Sequence, residues 1–401
     1  MELYWKLEIG YWKFYFMIIG IDARVLSEGS GGIFGYAKNL LEHLLPLAKR
    51  RQIKLFVNRC HYSPQAKTVI ANLAKNENVK LYRYRFPNKF LNASLRFRAW
   101  PKIDKLLGGC DVLFFPTMLY SAWSDETKAV LTMHDLSFEF YPEFFTLRQR
   151  LWHRLVEPRQ LCQKADRIIA VSESTRADLL ERYQLAPKKV RTVYSGINPT
   201  FRPIVDRHVL DAIRNKYYLP DVKYILQVGT LEPRKNAMGT LAAWEAWKLQ
   251  NAVEAKDYHL LFVGHCGWKA RDFFHRIKGS NFKDKIHVRC DVNHSDLPGL
   301  YNLASIFVYP SFYEGFGFPV LEAASCGVPI ITSANSSLGE MIGNAALLVD
   351  PYRIDDIVEA MHCLASNANL TKILRAEGLA RTVDFDWERT ARETLNALES
   401  I

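Results

Sequence analysis

Two glutamates set eight residues apart around a pair of glycines carry the strongest chemical signal in the chain, Tyr313-Glu314-Gly315-Phe316-Gly317-Phe318-Pro319-Val320-Leu321-Glu322. Gly315 and Gly317 let backbone approach a ligand closely, and Pro319 suits the first turn of a helix whose amino end would face an anion. One carboxylate precedes the glycines and the other stands on the helix, so they reach different parts of an extended ligand. One suits the hydroxyls of a sugar, the other a ribose diol. A glycosidase-type pair would have to face itself across one bond at about 5 to 9.5 Å, which a short loop and helix do not ensure.

A second cluster, Gln227-Val228-Gly229-Thr230-Leu231-Glu232-Pro233-Arg234-Lys235-Asn236, again follows an apolar run and opens a helix. Arg234 and Lys235 lie where a diphosphate could meet two cations and a helix amino end together. Charge-assisted hydrogen bonds of this kind are worth roughly 1.5 to 3 kcal/mol each and strengthen as negative charge builds on a departing diphosphate. Taken alone, Pro-Arg-Lys-Asn is a weak signal and more often a surface turn. His134, followed by Asp135, stands at the end of another apolar run, where an imidazole can point into a ligand site and exchange a hydrogen bond near neutral pH.

Gly29-Ser30-Gly31-Gly32-Ile33-Phe34-Gly35-Tyr36 opens a helix after the first apolar run and invites a dinucleotide reading. Its G-x-G-x-x-x-G spacing misses that fingerprint by one residue, and the run ending near Val57-Asn58 lacks the acidic residue a ribose would need. A nicotinamide enzyme is rejected on those grounds. Asp384-Phe385-Asp386 resembles a metal-holding Asp-x-Asp pair, but it lies away from any strand-end glycine loop and Asp386 suits the cap of the final helix. No metal and no cofactor are expected.

These loops need rigid elements to aim them. Apolar runs followed by turn signals and helix-period segments recur, with strands expected at 17–21, 54–57, 111–115, 129–133, 167–171 and 190–193. Helices are expected at 34–45, 147–162 and 173–182, the last capped by Ser172. The pattern restarts after a polar stretch containing Pro199 and Pro203, with strands at 224–228, 259–263, 285–289, 306–309, 329–332 and 346–349. The fold class is therefore α/β, two Rossmann-like doubly wound domains facing a cleft, the usual ligand site at the carboxyl ends of parallel strands. The expected divisions are 1–16, an aromatic extension with Met17 as the alternative start; 17–203, a first domain; 204–380, a nucleotide-sugar domain; and 381–401, a final segment.

At 401 residues, 49% hydrophobic and 24% charged, the chain suits two folded domains and excludes wholesale disorder. The formal net charge of +11 arises in the first half. From Arg51 to Trp100 the one acidic residue is Glu77, against many Lys and Arg, with Tyr82, Tyr84, Phe86, Phe90, Phe97 and Trp100 interleaved. Such a block seeks anions, either phosphates or lipid headgroups, or it is a solvated face. No nucleic-acid module surrounds it, so nucleic acid is not expected as a partner. Residues 1–16 are too short and too charged for a spanning helix or a signal peptide. Seven cysteines, odd in number and widely spaced, argue against a disulfide framework or zinc site and for a reducing compartment.

With these motifs in place, the chain from about Met17 onward resembles glycosyltransferase family 4, of glycosyltransferase B fold. The matching residues are Gly31-Gly32 with Tyr36, Thr132-Met133-His134-Asp135, Val171-Ser172-Glu173-Ser174, Gly229 with Pro233-Arg234-Lys235-Asn236, and the paired glutamates. The resemblance implies that Glu314 holds the transferred sugar and Glu322 the donor ribose. It also implies that Arg234 and Lys235 bind the diphosphate, that His134 contacts the sugar, and that the loop near Gly32 meets the donor phosphates or the acceptor. Gly229, Gly315, Phe316, Gly317 and Phe318 fall within the donor-binding motifs. Anomeric configuration would be retained by front-face attack, without metal.

Ile19-Gly20-Ile21-Asp22-Ala23-Arg24 with His134-Asp135-Leu136-Ser137-Phe138 and Tyr141-Pro142-Glu143 looks most like bacterial mannosyltransferases of lipopolysaccharide or capsule assembly, which implies GDP-mannose as donor. The acceptor would be a glycan or lipid-linked chain. The enzyme would be cytoplasmic, its basic first domain suited to the anionic inner face of the cell membrane. Thr230 and Gly35 each stand where many relatives carry Arg, which puts weight on Arg234 and Lys235 and leaves the acceptor contacts open. The final helix, 387–398, would cross back onto the first domain. Two other functions fit parts of the pattern: a sugar-nucleotide epimerase on the same fold, which would convert donor without acceptor, and a polyanion-binding module.

Overall fold

The computed structural model describes residues 17–27, 29, 31–58 and 62–401. The extension 1–16, Ser30 of the glycine loop and Cys60 lie outside the described residues. Thirteen strands form two sheets among these residues. The first holds β1 (Ile18–Asp22), β2 (Gln52–Asn58), β3 (Val79–Tyr84), β4 (Val112–Phe115), β5 (Lys128–Met133), β6 (Arg167–Ala170) and β7 (Val190–Thr192), in the order β3-β2-β1-β4-β5-β6-β7. The second holds β8 (Lys223–Val228), β9 (Tyr258–Val263), β10 (Ile286–Arg289), β11 (Ala304–Tyr309), β12 (Ile330–Ser333) and β13 (Leu347–Val349), in the order β10-β9-β8-β11-β12-β13. Order reverses beside β1 in one sheet and beside β8 in the other, the doubly wound arrangement expected.

Why the strands of the second sheet read as unbroken apolar runs is visible in its packing. On β8, Tyr224, Leu226 and Val228 join one core and Ile225 the other; on β11, Phe307 and Tyr309 face the first core while Ile306 and Val308 face the second. Both faces of the sheet are covered, so the strand period of two leaves no polar side. The second core is closed by Trp244 and Trp247 of the helix Ala237–Gln250, both fully buried.

The chain divides into two compact units, residues up to Leu131 with Thr394–Ile401, and Thr132–Glu393. The second unit thus contains β6, β7 and the entire second sheet. The final helix is Trp387–Glu399. Arg389 N donates to Asp386 Oδ2 at 3.0 Å, so Asp386 caps that helix, and Asp384 pairs with Arg381.

Three expectations are corrected. β3 is absent from the expected strands: it is an edge strand with exposed Lys80 and Arg83 and half-exposed Leu81 and Tyr82, lacking the apolar run of a buried strand. The single helix expected over 147–162 is two, Leu147–Val156 and Pro158–Lys164, because Glu157 adopts a left-handed φ of 54° ahead of Pro158. Finally, the spacing argument against disulfides fails at Cys266–Cys290. These residues are separated by 24 positions, yet they follow the adjacent parallel strands β9 and β10, a proximity the spacing does not reveal.

Candidate active site

The site is built on the loops after β8 and β11, neighbours at the reversal point of the second sheet. After β8 the chain turns at Gly229, whose φ of 146° suits glycine, and Pro233–Lys235 form one 3-10 turn. Asn236, with φ 55°, caps the helix Ala237–Gln250 by accepting from Gly239 N at 3.1 Å. That turn directs Arg234 and Lys235 onto a single carboxylate. Arg234 Nη1 donates to Glu314 Oε2 at 3.0 Å and to the Tyr313 carbonyl at 2.8 Å, and Arg234 Nη2 meets Glu232 Oε1 at 2.8 Å. Lys235 Nζ donates to Tyr309 Oη at 2.7 Å and pairs with Glu314 Oε1. The same Oε1 accepts from Tyr309 Oη at 2.9 Å and Ser311 Oγ at 2.8 Å.

Glu314 is buried, which by itself resists ionisation. Arg234, Lys235 and the hydroxyl of Ser311 overcome that and hold its carboxyl down to about 2. Lys235 moves the other way: burial and the adjacent Arg234 lower its pKa, with Glu314 and Glu232 opposing. Arg234 and Lys235 thus lie side by side with Glu314 against both and Glu232 against Arg234, two cations balanced by two carboxylates, and it is this paired arrangement that can hold an anion.

Glu322 stands apart from that cluster. Gly317, at φ 97°, starts the helix Phe318–Ser325, with Pro319 in its first turn. Glu322 Oε2 accepts from Tyr301 Oη at 2.8 Å, and Tyr301 is fully buried. Burial pushes the Glu322 carboxyl up to about 7, and the tyrosine hydroxyl offsets this in part.

Gly315 joins the site to β5 and β6. A Cβ there would overlap the carbonyl oxygen of His134, so this position admits only glycine. Ser172 Oγ, which caps the helix Glu173–Tyr183, donates to the Gly315 carbonyl at 2.6 Å, and Thr175 Oγ1 does so at 3.3 Å. Tyr313 Oη donates to Asp178 of that helix. Glu340, from the helix Ser336–Ile342, accepts from the free N–H groups of Glu173 at 2.7 Å and Ser174 at 3.0 Å and from Tyr194 Oη at 2.7 Å.

The structure therefore brings together Arg234, Lys235, Glu314, Gly315 and the backbone of His134, with Gly229 against the ring of Tyr309. Phe316 and Phe318 turn their rings toward the C-terminal segment, Phe316 against Phe385 at 5.9 Å and Phe318 against Trp387 at 6.3 Å. Gly32 begins the helix Gly32–Leu47 in the other compact unit. Sequence reasoning missed Tyr309, Ser311, Glu232 and Tyr301. The first two end and follow a strand whose apolar run was legible, so strand-end position was the available signal; nothing local distinguishes Tyr301. Among the described residues no group of three or more His, Cys, Asp or Glu is placed to hold a metal ion, and no helix is long and apolar enough to cross a membrane.

Two family models match the chain: Glycosyltransferase Family 4 over residues 30–201 and Glycosyl transferases group 1 over residues 211–380. O-antigen chain mannosyltransferase B of Escherichia coli is 33% identical over 272 residues, 67% of this chain and 70% of that protein. A serotype-specific mannosyltransferase WbdA of Escherichia coli is 29% identical over 271 residues, and there the chain spans 32% of the relative. Among solved structures, sucrose-phosphate synthase from Thermosynechococcus elongatus superposes with a TM-score of 0.70 at 20% identity, covering 96% of this chain and 98% of that one, which speaks for the fold. With both halves matched in order and the fold shared throughout, the chain belongs to glycosyltransferase family 4 and is a glycosyltransferase of glycosyltransferase B fold.

Proposed function

We propose that this glycosyltransferase moves mannose from GDP-mannose to a glycan or lipid-linked acceptor of cell-surface polysaccharide, with retention of anomeric configuration and without a metal ion. The observation that carries the reading is the buried cluster in which Arg234 and Lys235 converge on Glu314. An incoming pyrophosphate competes with Glu232 and Glu314 for Arg234 and Lys235 and brings its charge against both cations. The two cations then stabilise the diphosphate as the bond from the sugar C1 to its leaving oxygen breaks, where fixed charges act most strongly. Glu314, ionised at any physiological pH, accepts hydrogen bonds from sugar hydroxyls. Glu322 takes the ribose diol. The acceptor oxygen bonds to C1 on the face the diphosphate leaves, and its proton passes to the departing phosphate oxygen. His134 contacts the sugar, and the glycine loop at Gly32 serves the acceptor side.

The choice of mannose rests on the names of the relatives, an O-antigen chain mannosyltransferase and a serotype-specific mannosyltransferase. The place of work is the cytoplasmic face of a membrane, which the basic first domain meets. A thermal-shift panel of nucleotide sugars, followed by transfer assays with the best stabiliser, tests the donor. GDP-mannose is expected to stabilise most, to transfer undiminished in EDTA, and to give a product of the donor's anomeric configuration by NMR. An epimerised free nucleotide sugar in the absence of acceptor, or transfer abolished by EDTA, defeats the reading.

A further inference from the structure

The helix Asn88–Arg98 is built with two apolar faces, and the core needs only one. Leu91 and Leu95, one turn apart, are 5% and 3% exposed and pack with Ala122, Phe86 and Tyr120. Phe90 and Phe97 lie two turns apart on another face and are 77% and 73% exposed, with exposed Ala93 between them. At its end the helix turns through Ala99, at φ 47°, and presents Trp100, 64% exposed. Lys89 and Arg98 are exposed on the same helix, and Arg83 and Arg85 on the strand β3 and the residues after it. An unbroken stretch from Asn78 to Trp100 contains no acidic residue.

Rings presented to water at helical spacing, rimmed by cations, have a definite complement. A nucleic acid would match the charge but gains nothing from the phenylalanines unless bases are splayed onto them. An acidic protein partner would match the charge while still needing an apolar pocket of its own. An anionic bilayer meets both demands at once: headgroup phosphates take the cations, while Phe and Trp enter the boundary with the acyl chains.

We propose that the outward face of the helix Asn88–Arg98, through Phe90, Phe97 and Trp100 with Lys89 and Arg98, is the element by which this protein docks on anionic lipid bilayers. This deepens the membrane part of the proposed function by naming its surface, and it is independent of which sugar is transferred. No residue of the surface belongs to the cluster around Glu314. Docking and chemistry can therefore be separated by experiment.

The test is cosedimentation of the full chain with phosphatidylcholine vesicles, with and without phosphatidylglycerol, for the wild type, for Phe90→Ser/Phe97→Ser/Trp100→Ser and for Lys89→Glu/Arg98→Glu. The wild type is expected to bind the phosphatidylglycerol vesicles at least tenfold more tightly than neutral ones. The aromatic triple variant should lose about a hundredfold in affinity, and the charge variant about fivefold or more for each residue. Unchanged melting temperatures and unchanged transfer to a soluble acceptor would show that fold and chemistry are intact. Vesicle binding equal in all three proteins, or binding to single-stranded nucleic acid that is tighter than to vesicles, overturns the docking assignment while leaving the transferase reading standing. Loss of transfer to a soluble acceptor by the wild type would instead strike the reaction, not the surface.

Discussion

Glu314 and Glu322 are the same residue type, eight positions apart, the first buried and the second half-buried, yet their surroundings drive their carboxyls in opposite directions. Glu314 has Arg234 and Lys235 against it and is held down to about 2; Glu322 has one tyrosine hydroxyl and is pushed up to about 7. Burial alone raises both. The difference lies in what the neighbouring strands bring: the turn after β8 delivers two cations to Glu314, whereas the helix Phe318–Ser325 faces Glu322 toward Tyr301. One carboxylate is a fixed charge and the other a group that titrates near neutrality.

Breaking the first environment should have the largest effect. Lys235→Ala and Arg234→Ala each leave Glu314 short of a counter-charge and remove a stabiliser of the leaving diphosphate. Turnover is expected to fall about a hundredfold or more in each. Removing one partner of a buried ion pair also destabilises by about 3 to 5 kcal/mol, so denaturant unfolding should be read beside the kinetics. Glu314→Gln keeps the shape and both cations. If it retains full turnover, the carboxylate does not hold the sugar.

Next in size is Gly315→Ala, which acts on the frame around the first carboxylate. The added methyl meets the His134 carbonyl, and the hydrogen bonds from Ser172 and Thr175 leave the backbone little room to retreat. A loss of about 1 to 3 kcal/mol in unfolding free energy is expected, as for overpacking elsewhere, together with reduced turnover. An alanine variant as stable and active as the wild type would show that this loop is not held where the structure puts it.

How much of this contrast was legible in the sequence follows from what each part depends on. The strand ends were legible because β8 and β11 are covered on both faces and so read as apolar runs, which placed Arg234, Lys235 and Glu314 on the correct loops. That the two cations share one carboxylate depends on β8 and β11 pairing while 80 residues apart in sequence, which no local spacing encodes. The partner of Glu322, Tyr301, was hidden for the same reason. β3 escaped because a half-exposed edge strand has no apolar run, and the disulfide escaped because Cys266 and Cys290 become neighbours only through the order of β9 and β10.

The second environment yields a smaller effect with a defined dependence on pH. Glu322 has a folded pKa raised from 4.5 to about 7, so the folded state holds a proton that the unfolded state has given up between those values. Its contribution to stability is therefore full below pH 4.5 and is lost as pH rises through about 7. Glu322→Gln should remove that loss, so the variant gains on the wild type in melting temperature from pH 6 to pH 8. A constant difference across that range would mean that the carboxyl does not titrate there.

Tyr301→Phe sharpens the comparison most finely, because it removes one hydroxyl and leaves the ring that packs against Phe307 at 5.5 Å. The lost hydrogen bond had favoured the ionised carboxylate, so the Glu322 pKa should rise further above 7 and the ionised fraction at neutral pH should fall. If the ionised carboxylate is what accepts the ribose hydroxyls, the donor KM rises a few fold at pH 7 and recovers at higher pH, while kcat stays near the wild-type value. A tyrosine that merely filled space would leave the KM profile where it was, since phenylalanine fills the same volume. The displaced limb of that profile separates a hydroxyl that tunes a carboxylate from a ring that packs a core.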